Sequence, residues 1–119
     1  MKLAVVGTRT FNNYWLLKEE LNKYDSITEI ISGGAKGADK LAEKYAKEYN
    51  ISTKIFKASW DKYGKSAGFF RNTEIWKYAD EGIAFWDGVS PGTKHSVSLS
   101  QVFNKKLKVI KYKNLGAEK

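Results

Sequence analysis

The stretch "IISGGAKGADKLAEKYAKEY" (residues 30–49) decides the fold. Ile30 and Ile31 run into Ser32-Gly33-Gly34, then Gly37 and Asp39, then a helical pattern. Ala38, Leu41, Ala42, Tyr45, Ala46 and Tyr49 fall on one face, and lysines and glutamates cover the other. The spacing predicts a strand over 28–32 and a helix over 36–50. A glycine-rich turn between them can serve tight packing or make room for a phosphate.

The same alternation runs through the chain. Short apolar runs predict strands at 2–7, 52–57, 81–86 and 106–112, besides 28–32. Helical spacing is read at 13–24, 67–79 and 93–104, with loops at 58–68 and 87–93. Tyr14, Leu17, Leu21 and Tyr24 mark the inner face of the first helix. Strands separated by helices argue for an α/β fold: a Rossmann-like three-layer sandwich around a five-stranded, mainly parallel sheet. The expected strand order is 3-2-1-4-5. Ligands in such sheets bind at the carboxyl edge, where the strand order reverses, here between the first and fourth strands.

Composition narrows the class. The 119 residues fit one domain, 1–119, and 42% hydrophobic content supplies a core. Lysine and arginine exceed aspartate and glutamate by 21 to 13, a net charge of +8. That balance suits nucleotides, nucleic acid or acidic surfaces, and equally suits solubility. Lys18, Lys40, Lys44, Lys47 and Lys77 occupy helical positions expected to face water. No cysteine is present, which excludes disulfides and thiolate metal sites. No apolar run is long enough to span a bilayer and the N-terminus is too soon polar for a secretory signal, so the expectation is a cytoplasmic protein without a membrane partner.

Three polar segments should meet at the switch point. They are Gly7-Thr8-Arg9 after the first strand, Ser32 to Asp39 after the second (Ser32, Gly33, Gly34, Ala35, Gly37, Asp39), and Trp86 to Thr93 after the fourth (Trp86, Asp87, Gly88, Ser90, Gly92, Thr93). A helix N-terminus offers unpaired N–H groups and the positive end of the macrodipole. Glycine permits close approach, Ser and Thr add hydroxyl donors, and arginine fits two phosphate oxygens. Gly64-Lys65-Ser66 ends like a Walker A loop, but Ser59 stands where its first glycine belongs, and no G-x-G-x-x-G follows the first strand. No P-loop or standard dinucleotide site is supported, and no metal or other cofactor is called for.

These segments carry a resemblance. "VVGTRTF" (5–11), "SGGAKGAD" (32–39), "AGFFRN" (67–72) and "IAFWDGVSPGT" (83–93), in that order, resemble the YspA/YpsA-like branch of the SLOG superfamily over nearly the whole chain. The superfamily includes the lonely-guy phosphoribohydrolases and DNA-processing protein A. The resemblance implies a Rossmann-like fold and a nucleotide pocket lined by Gly7, Thr8, Arg9 and the 32–39 and 88–93 loops. Arg71-Asn72, followed by Ile75, resembles the Arg-Lys-x-x-Met motif of the phosphoribohydrolases. Their Pro-Gly-Gly-x-Gly-Thr-x-x-Glu motif corresponds to residues 88–96, where Ser96 takes the glutamate's place. Cleaving an N-glycosidic bond passes through an oxocarbenium-like species that a carboxylate stabilises, and a serine does this poorly.

The expected function is therefore binding: sensing or sequestering a nucleotide or nucleotide-derived molecule, such as an ADP-ribose-like signal, rather than catalysis. The alternatives are a nucleoside monophosphate phosphoribohydrolase or N-glycosidase, with Arg71 central, and a single-stranded nucleic-acid binder. A homo-oligomer is expected from the relatives. Trp60 and Tyr63, among Lys57, Lys62 and Lys65, either cover a satellite core or stack on a base. Phe69 and Phe70 are expected in that core, and Trp15 and Trp76 in packing or oligomer contacts. Asp39 is either a helix cap or a ribose contact, and His95, the one histidine, a polar helix residue or ligand contact rather than a general base.

Overall fold

The computed structural model describes residues 1–113. Its strands are β1 (Lys2–Gly7), β2 (Glu29–Ser32), β3 (Ser52–Ile55), β4 (Glu81–Trp86) and β5 (Lys106–Lys111). Its helices are α1 (Tyr14–Leu21), α2 (Ala38–Glu48), α3 (Trp60–Tyr63), α4 (Ala67–Tyr78) and α5 (Pro91–Val102), with a 3-10 turn at Gly64–Ser66. The five strands form one sheet in the order β3-β2-β1-β4-β5, and every neighbouring pair is parallel.

Alternation along the central strands builds both cores. Leu3 and Val5 of β1, Ile30, Ile83 and Phe85 face α1 and α2, meeting Leu17, Leu21, Ala42 and Ala46. Ala4 and Val6 face the other way with Ile31 and Ala84, onto Ile75, Trp76 and Ala79 of the α4 region. Trp76 is fully buried, and a Cβ on Gly82 of β4 would stand 2.4 Å from its ring. That glycine leaves room for the indole against the sheet.

The structure places the predicted strands within two residues of their expected ends and adjusts the helices. α1 stops at Leu21, so Tyr24 packs from the loop beyond it. α5 starts at Pro91 because proline's fixed φ and missing N–H suit the first helical position. The expected loop at 58–68 contains α3 and the 3-10 turn. Lys18 is half-buried rather than water-facing, since it bonds Glu48 at 2.8 Å.

Two expectations about aromatics change. Phe69 and Phe70 are 58% and 51% exposed, not core. Helices in parallel units run back against the strands, so the first turn of α4 stands at the carboxyl edge, with no strand beneath it. Trp15 is 77% exposed while Trp76 is buried, so the two tryptophans have different roles.

Among the described residues, both sheet edges are open. All four residues of β3 are exposed, and in β5 Leu107 and Ile110 are half-buried while the other four residues are exposed. Lys54 lies on the first edge, and Lys106, Lys108 and Lys111 on the second; Lys108 reaches back to Glu20 of α1 at 2.7 Å.

Candidate functional site

The loops after β1, β2 and β4 meet at the carboxyl edge and enclose a cavity of about 510 Å³. Gly7, Thr8 and Arg9 line one side, Ala35 and Asp39 another, and Asp87, Ser90, Gly92 and Thr93 a third. Arg71 and Asn72 of α4 close the fourth. Ser32, Gly33, Gly34, Gly37, Trp86 and Gly88 lie outside this lining. The Ser32 hydroxyl accepts the Gly34 N–H at 3.0 Å. Gly37 has φ +79°, and a Cβ there would approach the Thr8 carbonyl oxygen to 2.3 Å. The Trp86 indole N–H donates to the Ser90 carbonyl at 3.1 Å, bracing the loop ahead of α5.

Val6, Thr10, Ile75, Pro91 and Ser96 also line the cavity. Ile75 and Ser96 stand three residues after Asn72 and Thr93, so helical spacing from those positions could have found them. Ser96 is buried against the cavity in the place where the phosphoribohydrolase motif carries glutamate.

Thr8 ties the loops together. Its N–H donates to the Phe85 carbonyl at 2.9 Å, its carbonyl accepts the Ala38 N–H at 3.4 Å, and its hydroxyl oxygen accepts the Asp87 N–H at 3.2 Å. Asp87 in turn accepts the Val89 N–H at 3.0 Å and the Ser90 N–H at 2.9 Å. Desolvation pushes the Asp87 carboxyl up, but these N–H bonds and the Ser90 hydroxyl outweigh it and hold it below its ordinary range. Asp87 is therefore an ionised brace for the turn.

Asp39 is held differently. It is 7% exposed, in the first turn of α2, and accepts the Ala35 N–H at 3.1 Å. Burial pushes its carboxyl up to about 6, against the opposing pull of that N–H and of Arg71. Proton exchange at Asp39 thus falls near neutrality. Arg71 donates to the Gly33 carbonyl at 2.9 Å and through Nε to Asn72 Oδ1 at 2.9 Å. Burial lowers its guanidinium from the ordinary value, Asp39 opposes the shift, and Arg9 adds to it. Gly33 admits this contact, since a Cβ there would come 2.4 Å from the guanidinium.

The N-termini of α2 and α5 both open on the cavity, beside Arg9 and Arg71. Asp39 and Gly92, in the first turns of the two helices, both line it. Such ends bring unpaired N–H groups and partial positive charge to one place. Gly92 has neither a positive φ nor any neighbour within 4 Å of a built Cβ. Neither its backbone conformation nor its neighbours require a glycine. Among the described residues no three His, Cys, Asp or Glu side chains gather as a metal site, and no helix is long and apolar enough to cross a membrane.

A model of the YspA, cpYpsA-related SLOG family matches residues 1–63, from β1 through α3. The Gene 61 protein of Mycobacterium phage D29 is 31% identical over 110 residues, covering 84% of this chain and 88% of that protein. The chain belongs to the YspA, cpYpsA-related SLOG family. A solved structure of DNA processing protein A from Helicobacter pylori, reported for its single-stranded DNA binding mode, superposes with a TM-score of 0.71. That match covers 98% of this SLOG chain and 70% of the other at 22% identity, which supports the shared fold.

Proposed function

We propose that the switch-point cavity binds the phosphate-bearing part of a nucleotide or nucleotide-derived small molecule, which the protein senses or sequesters. The observation that carries this is the convergence of two helix N-termini and two arginines on one cavity of about 510 Å³. A cavity of that volume suits a nucleotide-sized ligand. Phosphate oxygens would meet the N–H groups of Gly92 and Thr93, with Arg9 and Arg71 as charge partners. Gly92 supports this reading, because a glycine that neither fold nor packing requires leaves room for close approach. The braced turn around Asp87 would then face the ribose, and an ADP-ribose-like molecule is the favoured candidate.

Calorimetry with AMP, ADP and ADP-ribose tests the proposal. Binding that is lost in Arg71→Ala while the fold is retained is expected. No heat of binding for any of the three at millimolar ligand would overturn it.

A second reading rests on a separate observation. Trp60, Tyr63, Phe69 and Phe70 are all exposed beside Lys57, Lys62 and Lys65, next to the cavity wall formed by Arg71. Exposed aromatic faces among cations suit successive bases of a single strand. DNA processing protein A from H. pylori, which shares this fold, is reported for its single-stranded DNA binding mode. Titration of oligonucleotides at low and high salt separates the readings: a single strand held by this face releases steeply as salt rises.

A further inference from the structure

One hydrogen-bonded chain at the cavity wall has a fixed direction. Arg71 Nε can only donate, so the Asn72 side chain presents Oδ1 to it, at 2.9 Å. The Asn72 amide nitrogen is then the atom facing His95 Nδ1, at 3.1 Å. An amide nitrogen can only donate, so Nδ1 must accept. His95 is therefore a neutral imidazole with its proton on Nε2. Asn72 is 8% exposed, and its amide oxygen and nitrogen are each committed to one of these two bonds.

Protonating His95 breaks this logic. Nδ1–H would then oppose the Asn72 NH2, donor against donor. Turning the amide over offers Oδ1 to the imidazolium, but it sets the NH2 against Arg71 Nε–H. No orientation of Asn72 satisfies both neighbours. Phe69 closes the imidazole from the side, with ring centroids 4.2 Å apart. The charged residues of the elements packed against α5 are Arg71, Glu74 and Lys77 on α4, Lys2 on β1, Glu81 on β4, and Lys106, Lys108 and Lys111 on β5, with Arg9 and Asp87 in the loops after β1 and β4 and Lys94 on α5 itself. Of these, Arg71 is the one bonded to the side chain that touches the imidazole.

We propose that Asn72 is a positioning residue that holds Arg71 over the Gly33 carbonyl only while His95 is neutral, so that His95 protonation frees Arg71 Nε from its clasp. The consequence for ligand capture rests on the nucleotide-pocket reading above; the clasp does not. Burial of His95 lowers its proton affinity from the ordinary value, in the same direction as the tautomer argument.

The test uses nitrogen-15 NMR of the ligand-free protein, in which the one histidine gives unambiguous signals. The expected result is a neutral Nε2–H tautomer and an Arg71 Nε–H signal, protected from exchange, that is lost as His95 titrates. Asn72→Asp offers a carboxylate oxygen to each neighbour, so it should shift the imidazole proton to Nδ1 and raise proton affinity about tenfold or more. His95→Gln keeps an acceptor for Asn72 without a titrating ring, so the Arg71 signal should stay protected at the pH where the wild type loses it. A wild-type Nδ1–H tautomer, or an Arg71 signal indifferent to His95 titration, would overturn the proposal. The His95→Gln arm decides it if Asn72→Asp does not fold. Because no ligand is present, failure of nucleotide binding and failure of the clasp are separate results.

Discussion

Replacing Asp39 by asparagine tests the electrostatics of the cavity most directly. The carboxyl is 7% exposed, and burial moves it from its ordinary value of 3.8 to about 6. Between those values the folded protein binds a proton that the unfolded chain has released. Stability therefore falls as pH rises from about 4 to 6, and above 6 the full penalty remains. That interval corresponds to about 3 kcal/mol. Asparagine stays neutral at every pH and keeps one oxygen for the Ala35 N–H, at a loss of about 1 kcal/mol for the second acceptor. The net expectation is a gain of about 2 kcal/mol at pH 7, or a rise in Tm of roughly 8 °C. Near pH 4 the gain disappears. Urea denaturation of both proteins at half-unit steps from pH 4 to 8 measures it. A variant whose stability parallels the wild type across that range, or is lower at pH 7, would refute the assignment of Asp39 as a carboxyl ionised against its surroundings.

Other expectations follow from neighbouring residues. A diphosphate diester such as ADP-ribose, whose own charge is constant from about pH 5.5 to 7.5, should bind more weakly as pH rises through about 6, because Asp39 then acquires a charge beside the anion; isothermal titration at both pH values should show the drop in the wild type and not in Asp39→Asn. Gly92→Ala should leave stability unchanged or raise it by up to about 1 kcal/mol, yet lower AMP affinity at least tenfold, since the added methyl occupies the approach to the α5 N-terminus. Thermal melts and calorimetry on one preparation would separate the two effects. Gly37→Ala should destabilise by about 2 kcal/mol or more, from its φ of +79° and the contact with the Thr8 carbonyl, as read by urea midpoint.

How much of this was legible in the sequence depends on what each residue answers to. Strand order and the meeting of three loops followed from period switching and crossover handedness, which are properties of the backbone. Phe69 and Phe70 were misplaced because apolarity alone does not say whether a helical turn lies over the sheet or past its end. The supporting roles of Trp86 and Ser32 were hidden for another reason. A loop residue that braces and one that touches a ligand share the same chemistry, and only distances tell them apart. The raised proton affinity of Asp39 was unreadable as well, since capping positions on helices are ordinarily wet, and this one is covered by Arg71 and the 33–37 turn.

The lysines on the outer strands bear on what the molecule does in company. Among the described residues, β3 and β5 each leave a row of backbone donors and acceptors unpaired, a template on which another copy could pair. Lys54 on one edge strand and Lys106 and Lys111 on the other carry exposed charge, while Lys108 is held by Glu20. Joining two copies edge to edge would bring like charges into register and strip their water. Those charges oppose growth into a continuous ribbon through either edge.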